Sequence, residues 1–150
     1  MNRVALVLLG VLLSGCRSAP RATPRTPDDF SISISVAGDG TGELAPAWYL
    51  VEADGVLRAT TGVRSPRSAT PPPVRTLTRG QVDELWELAR AAGLAGRGAG
   101  TDPGTGACEI ELASNGRRRL FEDDPEVNPG LAPLVRRLRE LAWVSAPVAP

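Results

Sequence analysis

Two cysteines, a run of carboxylates and a run of arginines are the residues of this chain best equipped for chemistry. Cys16 stands just behind ten apolar or glycine residues, Val4 to Leu13, and Cys108 lies far downstream in ACEIELAS. Glu122, Asp123, Asp124 and Glu126 crowd into FEDDPEVN, and Arg117, Arg118 and Arg119 follow one another. The chain has no histidine, and arginine supplies all 17 basic residues, so lysine is absent too. Without imidazole there is no Ser-His-Asp triad, no Cys-His dyad and no histidine metal site. Without lysine there is no Walker-type phosphate contact and no Schiff base. Carboxylate-pair chemistry stays open in principle, carried by Asp123 with Asp124 or Glu111. The 17 acids balance the 17 bases. A nucleic-acid binder would carry a basic excess, so nucleic acid is not an expected partner.

Each cluster also has a purely structural use. Acids 122 to 126 could hold a hard cation such as calcium. Their spacing is not that of a calcium loop, however, and acids just before a helix are favourable in themselves. No metal or cofactor is therefore expected. The three arginines could receive an anion or an acidic partner, or keep an edge strand from pairing indiscriminately. Trp48 and Tyr49 could form a partner-binding surface, since aromatics are enriched at interface hot spots. With so few aromatics in the chain, core duty is expected of at least one. Cys108 shares a strand face with Ile110 and Leu112 and has Glu109 beside it rather than a cation. That predicts a small, buried, inert side chain.

The amino-terminal residues set the expected address. Asn2 and Arg3 make a polar, positive head before the apolar run. Ten helical residues would rise only about 15 Å, half the thickness of a bilayer's hydrocarbon, so the layout is that of a secretory signal. Leu13-Ser14-Gly15-Cys16 resembles the lipobox of bacterial lipoproteins. The resemblance implies a diacylglyceryl group on the Cys16 thiol, cleavage just before it, and acylation of the new amino group. With Cys16 so used, Cys108 has no partner for an internal disulfide. Two or three fatty chains suffice for stable membrane attachment where one does not. With Arg17 in place of an aspartate, the resemblance implies sorting to the periplasmic side of the outer membrane in a Gram-negative host.

The expected organisation is a signal peptide over 1–15, a lipidated start and disordered tether over 16–29, one domain over 30–144, and a frayed tail over 145–150. The tether carries prolines 20, 24 and 27 and almost nothing apolar, so burial cannot offset its ordering entropy. Phe30, Ile32, Ile34 and Val36 alternate with serines and predict a strand with one solvated face. WYLVEADGVLRATTG predicts a hairpin with a type I′ turn at Asp54-Gly55. RSPRSATPPP reads as a proline-rich surface loop. The helix over 77–94 carries Thr78 and Gln81 as a capping box, Leu77 and Val82 as a staple, and Gly93 as a left-handed stop. Val82, Leu85, Trp86 and Ala89 form its apolar stripe. AGRGAGTDPGTG, over 95–106, lacks the lysine and the strand-to-helix setting of a phosphate loop and reads as a connector. A second hairpin turns at Asn115-Gly116. The last helix is capped by Asn128 with Pro129 behind it, and buries Leu131, Leu134, Val135, Leu138, Leu141 and Ala142.

These elements predict an α+β fold: a mainly antiparallel sheet of four to five strands with two helices on one face, in the order β-β-β-α-β-β-α. Pro46 to Leu50, Asp54-Gly55 and Leu77 to Leu85 resemble an uncharacterised α+β domain of secreted and lipidated bacterial proteins. The helix, the DG turn and, loosely, Pro133 to Leu138 resemble the emfourin group, which are proteinaceous inhibitors of thermolysin-like metalloproteases. Both resemblances rest on turns, caps and apolar stripes, so they speak to architecture more than to activity. The expected function is a lipid-anchored, non-enzymatic binding or structural module with a protein partner in the envelope. A metalloprotease inhibitor and a carboxylate enzyme are the alternatives.

Overall fold

Strand alternation decides which side chains meet. The computed structural model describes residues 25–38, 45–62, 69–97 and 107–143. Within them lie β1 (Ser31–Val36), β2 (Ala47–Val51), β3 (Val56–Thr61), β4 (Pro73–Thr76), α1 (Arg79–Ala91), β5 (Cys108–Ser114), β6 (Arg117–Asp123) and α2 (Leu131–Trp143). The strands form one sheet in the order β4-β3-β2-β1-β5-β6, and every pairing is antiparallel. The fold is therefore α+β with six strands, one more than the upper expectation. The extra strand is β4, hidden in the sequence because PVRT begins with proline and has no alternation to read. Proline is tolerated at the first position of an edge strand, which is where Pro73 sits.

β1 is central, and its register sets the core. Ile32 pairs across to Val51 and Leu112, Ile34 to Tyr49 and Ile110, and Val36 to Ala47 and Cys108. All of these lie on one face and are buried. The apolar stripes of both helices join them in a single cluster that also takes in Phe30, Leu57 and Phe121. Each fully buried aliphatic side chain contributes roughly 1.5–3 kcal/mol relative to exposure. Phe30 meets Trp86 edge to face, with centroids 5.3 Å apart. Among the described residues the buried Trp86 indole N–H has no acceptor, so packing holds this ring there.

The helix termini follow local chemistry. Thr78 Oγ1 accepts from the Gln81 backbone at 3.3 Å, and the Gln81 side chain returns the bond at 2.9 Å. At the other end Leu94 N–H reaches Ala89 O and Gly93 N–H reaches Arg90 O, the two bonds of a Schellman stop. Asn128 Oδ1 accepts from Gly130 N–H at 3.2 Å, the contact of a cap, and regular α-helix starts at Leu131.

The two hairpins differ. Asn115 and Gly116 both have positive φ, at 54° and 70°, as the expected type I′ turn requires. At the first hairpin only Gly55 is left-handed, at φ 84°. Gly55 N–H bonds Glu52 O, and Asp54 Oδ1 accepts from Val56 N–H. This is a three-residue loop over Ala53, Asp54 and Gly55, a type I turn followed by a left-handed glycine, and not type I′. The longer loop spares Asp54 the left-handed conformation, which is costly for a residue with a Cβ.

Two more expectations are corrected. Packing extends four residues before Phe30: Thr26 is buried, and Arg79 donates to its carbonyl at 3.1 Å. Ser33 and Ser35 do face away from the core but are not solvated, being only 8% and 7% exposed. They are short residues on a central strand. Leu50 and Glu111 flank Ser33, and Trp48 and Glu109 flank Ser35.

A methyl group tests the closest backbone approach. A Cβ on Gly130 would stand 2.9 Å from Ala92 Cα and 3.1 Å from Ala91 O. Gly130→Ala should cost about 1–3 kcal/mol through the forced shift. Gly80, in the first turn of α1, has nothing within 4 Å of that position. Gly80→Ala should stabilise by roughly 0.5–1 kcal/mol. Urea midpoints of the two variants should move in opposite directions.

Candidate functional site

Backbone geometry splits both clusters that the sequence presents as contiguous. Trp48 and Tyr49 are neighbours on β2, so they point to opposite sides of the sheet. Tyr49 belongs to the core at 2% exposure. Burial pushes its phenol pKa up, with a hydrogen bond from Trp143 and the Arg139 charge opposing this. Trp48 lies on the other face, also buried, and donates its indole N–H to Ser33 Oγ at 2.9 Å. Neither ring is an exposed anchor, and Tyr49 has the core duty expected of at least one of the two.

The arginine run is divided in the same way. Arg118 lies on the open face and pairs with Glu111 of β5. Arg119 points to the helix side and donates to Ala95 O at 2.9 Å, closing the segment after α1 onto the sheet edge. Arg117 is exposed at the start of β6. The three guanidinium groups therefore do not converge on one anion.

The acids hold a turn together. Asp123 is 7% exposed and takes an ion pair from Arg97 at 3.0 Å, a bond from Asn128 Nδ2 at 2.8 Å, and one from Asp124 N–H at 2.9 Å. Asn128 Nδ2 also reaches Ala92 O at 2.9 Å. Asp124 Oδ1 accepts from Glu126 N–H at 2.8 Å. One network thus ties the end of β6, the start of α2 and the end of α1. Glu122 lies across the strand, on the open face. Among the described residues no group of His, Cys, Asp and Glu is arranged to hold a metal ion.

Cys108 is fully buried. Burial, followed by the charges of Asp124 and Asp123, pushes its thiol pKa up to about 12. A thiolate is the reactive form, so this cysteine is silenced by its surroundings. An open groove of about 480 Å³ runs between Arg25, Thr26 and the first turns of α1, lined also by Arg79, Gly80, Asp83, Glu84 and Glu87. Its carboxylates are already occupied. Asp83 pairs with Arg79, Glu84 with Arg137 and Glu87 with Arg90. The groove is a salt-bridged surface.

Sequence reasoning missed Asp29, which lies in the stretch read as tether. Its two carboxylate oxygens accept from the N–H groups of Asn115 and Gly116, at 2.7 and 2.6 Å. The entering chain is thereby clamped to the β5–β6 turn, 86 residues away. No local signal marks this contact, because it joins two polar turns.

Cys16, the predicted signal at 1–15, positions 16–24 of the predicted tether, most of the 95–106 connector and the 145–150 tail lie outside the described residues. No helix among the described residues is long and apolar enough to cross a membrane. No family model matches the chain, and no curated protein matches it.

The clamp has a pH signature. Bonds from Gly116 and then Asn115 hold the Asp29 pKa below its usual value. A carboxylate depressed in the folded state stabilises fully above its unfolded pKa, near 3.9, and that stability is lost as pH falls through the folded pKa. Asp29→Asn should lower the melting temperature at pH 7, and the gap to the parent should narrow as pH falls below about 4. A gap independent of pH would remove the charge from the account. Cys108, for its part, should resist thiol reagents at pH 8 until denaturant opens the core, as peptide mass mapping would show.

Proposed function

We propose that this chain is a lipid-anchored, non-enzymatic module of the bacterial cell envelope. Cys16 carries the acyl chains, on the periplasmic side of the outer membrane, and the α+β domain engages an envelope protein or supports one structurally. The observation that carries the anchor is the order of head, apolar run and Leu13-Ser14-Gly15-Cys16 at the amino terminus. The reading of the domain rests on how its reactive groups are used. Asp123 and Asp124 hold a helix start, Asp29 clamps a turn, and Cys108 and Tyr49 are core residues. Each is held by a structural contact or by burial that would have to be broken before it could act on a substrate.

Geometry also limits the reach of such a module. Ten positions lead from Cys16 to Thr26, the first residue seen buried. Ten residues at full extension span at most about 35 Å. The domain would work close to its membrane and meet partners lying in or on that surface.

Fractionation of a Gram-negative host expressing the full chain tests the anchor. The product should sediment with outer membranes, and intact mass should show a chain starting at Cys16 with two or three acyl groups. Cys16→Ala should abolish both, and Arg17→Asp should move the protein to the inner membrane. An unmodified polypeptide washed freely from vesicles would overturn the proposal. For the domain's role, crosslinking in intact cells should trap an envelope protein, and a chain that crosslinks to nothing would argue against a binder.

A further inference from the structure

The two edges of the sheet are built differently. β4 has four residues, begins at Pro73, and pairs with β3 through a register shift at Leu57/Arg58. Prolines 71 to 73 offer no N–H, so this edge is blunted against further pairing. β6 has seven residues, no proline and a regular register, and among the described residues only β5 pairs with it. Because Ser114 and Arg117 flank a two-residue turn, Arg117, Arg119, Phe121 and Asp123 direct their backbone groups to β5. The N–H and C=O groups of Arg118, Leu120 and Glu122 face outward.

The sequence of this edge is Arg117-Arg118-Arg119-Leu120-Phe121-Glu122-Asp123, basic in its first half and acidic at its end. That order is self-complementary under one operation, a two-fold axis through Leu120. Antiparallel pairing with a second copy then sets Leu120 against Leu120. Arg118 meets Glu122 of the second copy twice; Arg117 comes opposite Asp123, whose charge Arg97 already takes. Parallel pairing would stack arginine on arginine. A run of arginines alone would repel any copy of itself, and the acids at the matching distance turn that repulsion into attraction. Leu120 is 43% exposed, on the open face at the axis. Arg117 and Glu122 have no ion-pair partner among the described residues.

We propose that β6 is a homotypic interface, through which a second copy of this chain pairs antiparallel about Leu120 to make one continuous twelve-stranded sheet. The inference rests on the edge alone and not on the lipid anchor. Seven residues a side make a small interface, and its charges are at the surface. The dimer is therefore weak and salt-sensitive. Such an interface suits copies concentrated on a common surface.

Sedimentation equilibrium of the full chain in detergent, from about 10 to 500 µM, reads the association. Dimer should appear at the upper end and dissociate in roughly 0.5 M salt. Arg118→Glu should weaken association about tenfold or more, and adding Glu122→Arg should restore it, since each reversed charge again meets its opposite. Circular dichroism should show both variants folded, because both positions are exposed. In a chain with Cys16→Ser, the L120C variant should form a disulfide-linked dimer on oxidation. Residues facing each other at such a pair lie about 5.5 Å apart, within disulfide reach. The V127C variant, at a more exposed site off the strand, should link far more slowly. Three results would each overturn the proposal: monomer throughout the range, no recovery in the double variant, or equal crosslinking of L120C and V127C.

Discussion

Ile32, Ile34 and Val36 are buried because β1 is flanked on both sides, by β2 and β5, and covered on one face by two helices. That central register is the constraint on which the rest depends. Strand side chains alternate with a period of two, so sliding β1 by one residue would send three serines into the core and three aliphatic residues out of it. The same parity places Tyr49, Leu57, Ile110 and Phe121 beneath the helices and Trp48, Glu111 and Arg118 on the opposite face. The apolar stripes of α1 and α2 have one surface to cover, and their residues meet in one cluster.

What was legible in the sequence is what is local. The capping box of Thr78 and Gln81, the Schellman stop at Gly93 and the stripe of α2 depend on residues within a turn of one another, and each is present as read. What was not legible depends on contacts between distant segments. Asp29 has no neighbour in sequence that explains it, and its partners lie in the β5–β6 turn. β4 is a strand only because β3 offers it an edge. Ser33 and Ser35 read as solvated because alternation reports direction, whereas burial depends on the height of flanking side chains. The first hairpin kept the DG signal but added Ala53 to the loop, a choice that turns on whether Asp54 must adopt positive φ.

The candidate site was legible as a set of residues and not as an arrangement. Chain neighbours in a strand cannot act together on one face, which is why Trp48-Tyr49 and Arg117-Arg118-Arg119 disperse on folding. The acids from 122 to 126 straddle the end of a strand and a turn, and there they do converge. Convergence brought them Arg97, Asn128 and backbone N–H groups as partners. A buried carboxylate must be paired or lose its charge. Asp123 is paired three times over, so the network reads as a joint between β6, α1 and α2.

The open face completes the logic of the sheet. A sheet covered on one side by helices must present its other side to water or to a partner. Here that side is neither apolar nor uniformly polar. Trp48 and Ser33 are joined by a buried hydrogen bond near the middle, and ion pairs lie toward the two edges, Glu52 with Arg58 on one side and Glu111 with Arg118 on the other. Exposed apolar residues are spread singly, with Val74 on one edge strand and Leu120 on the other. Among the described residues this face carries no broad apolar patch, because single exposed apolar residues are ordinary surface. Recognition through backbone hydrogen bonds needs no such patch, only a strand with free amides and carbonyls. The prolines around β4 lack the amides, and the strand of β6, free of proline, carries both groups. The direction in which this domain can extend its sheet is therefore set by where the chain places its prolines.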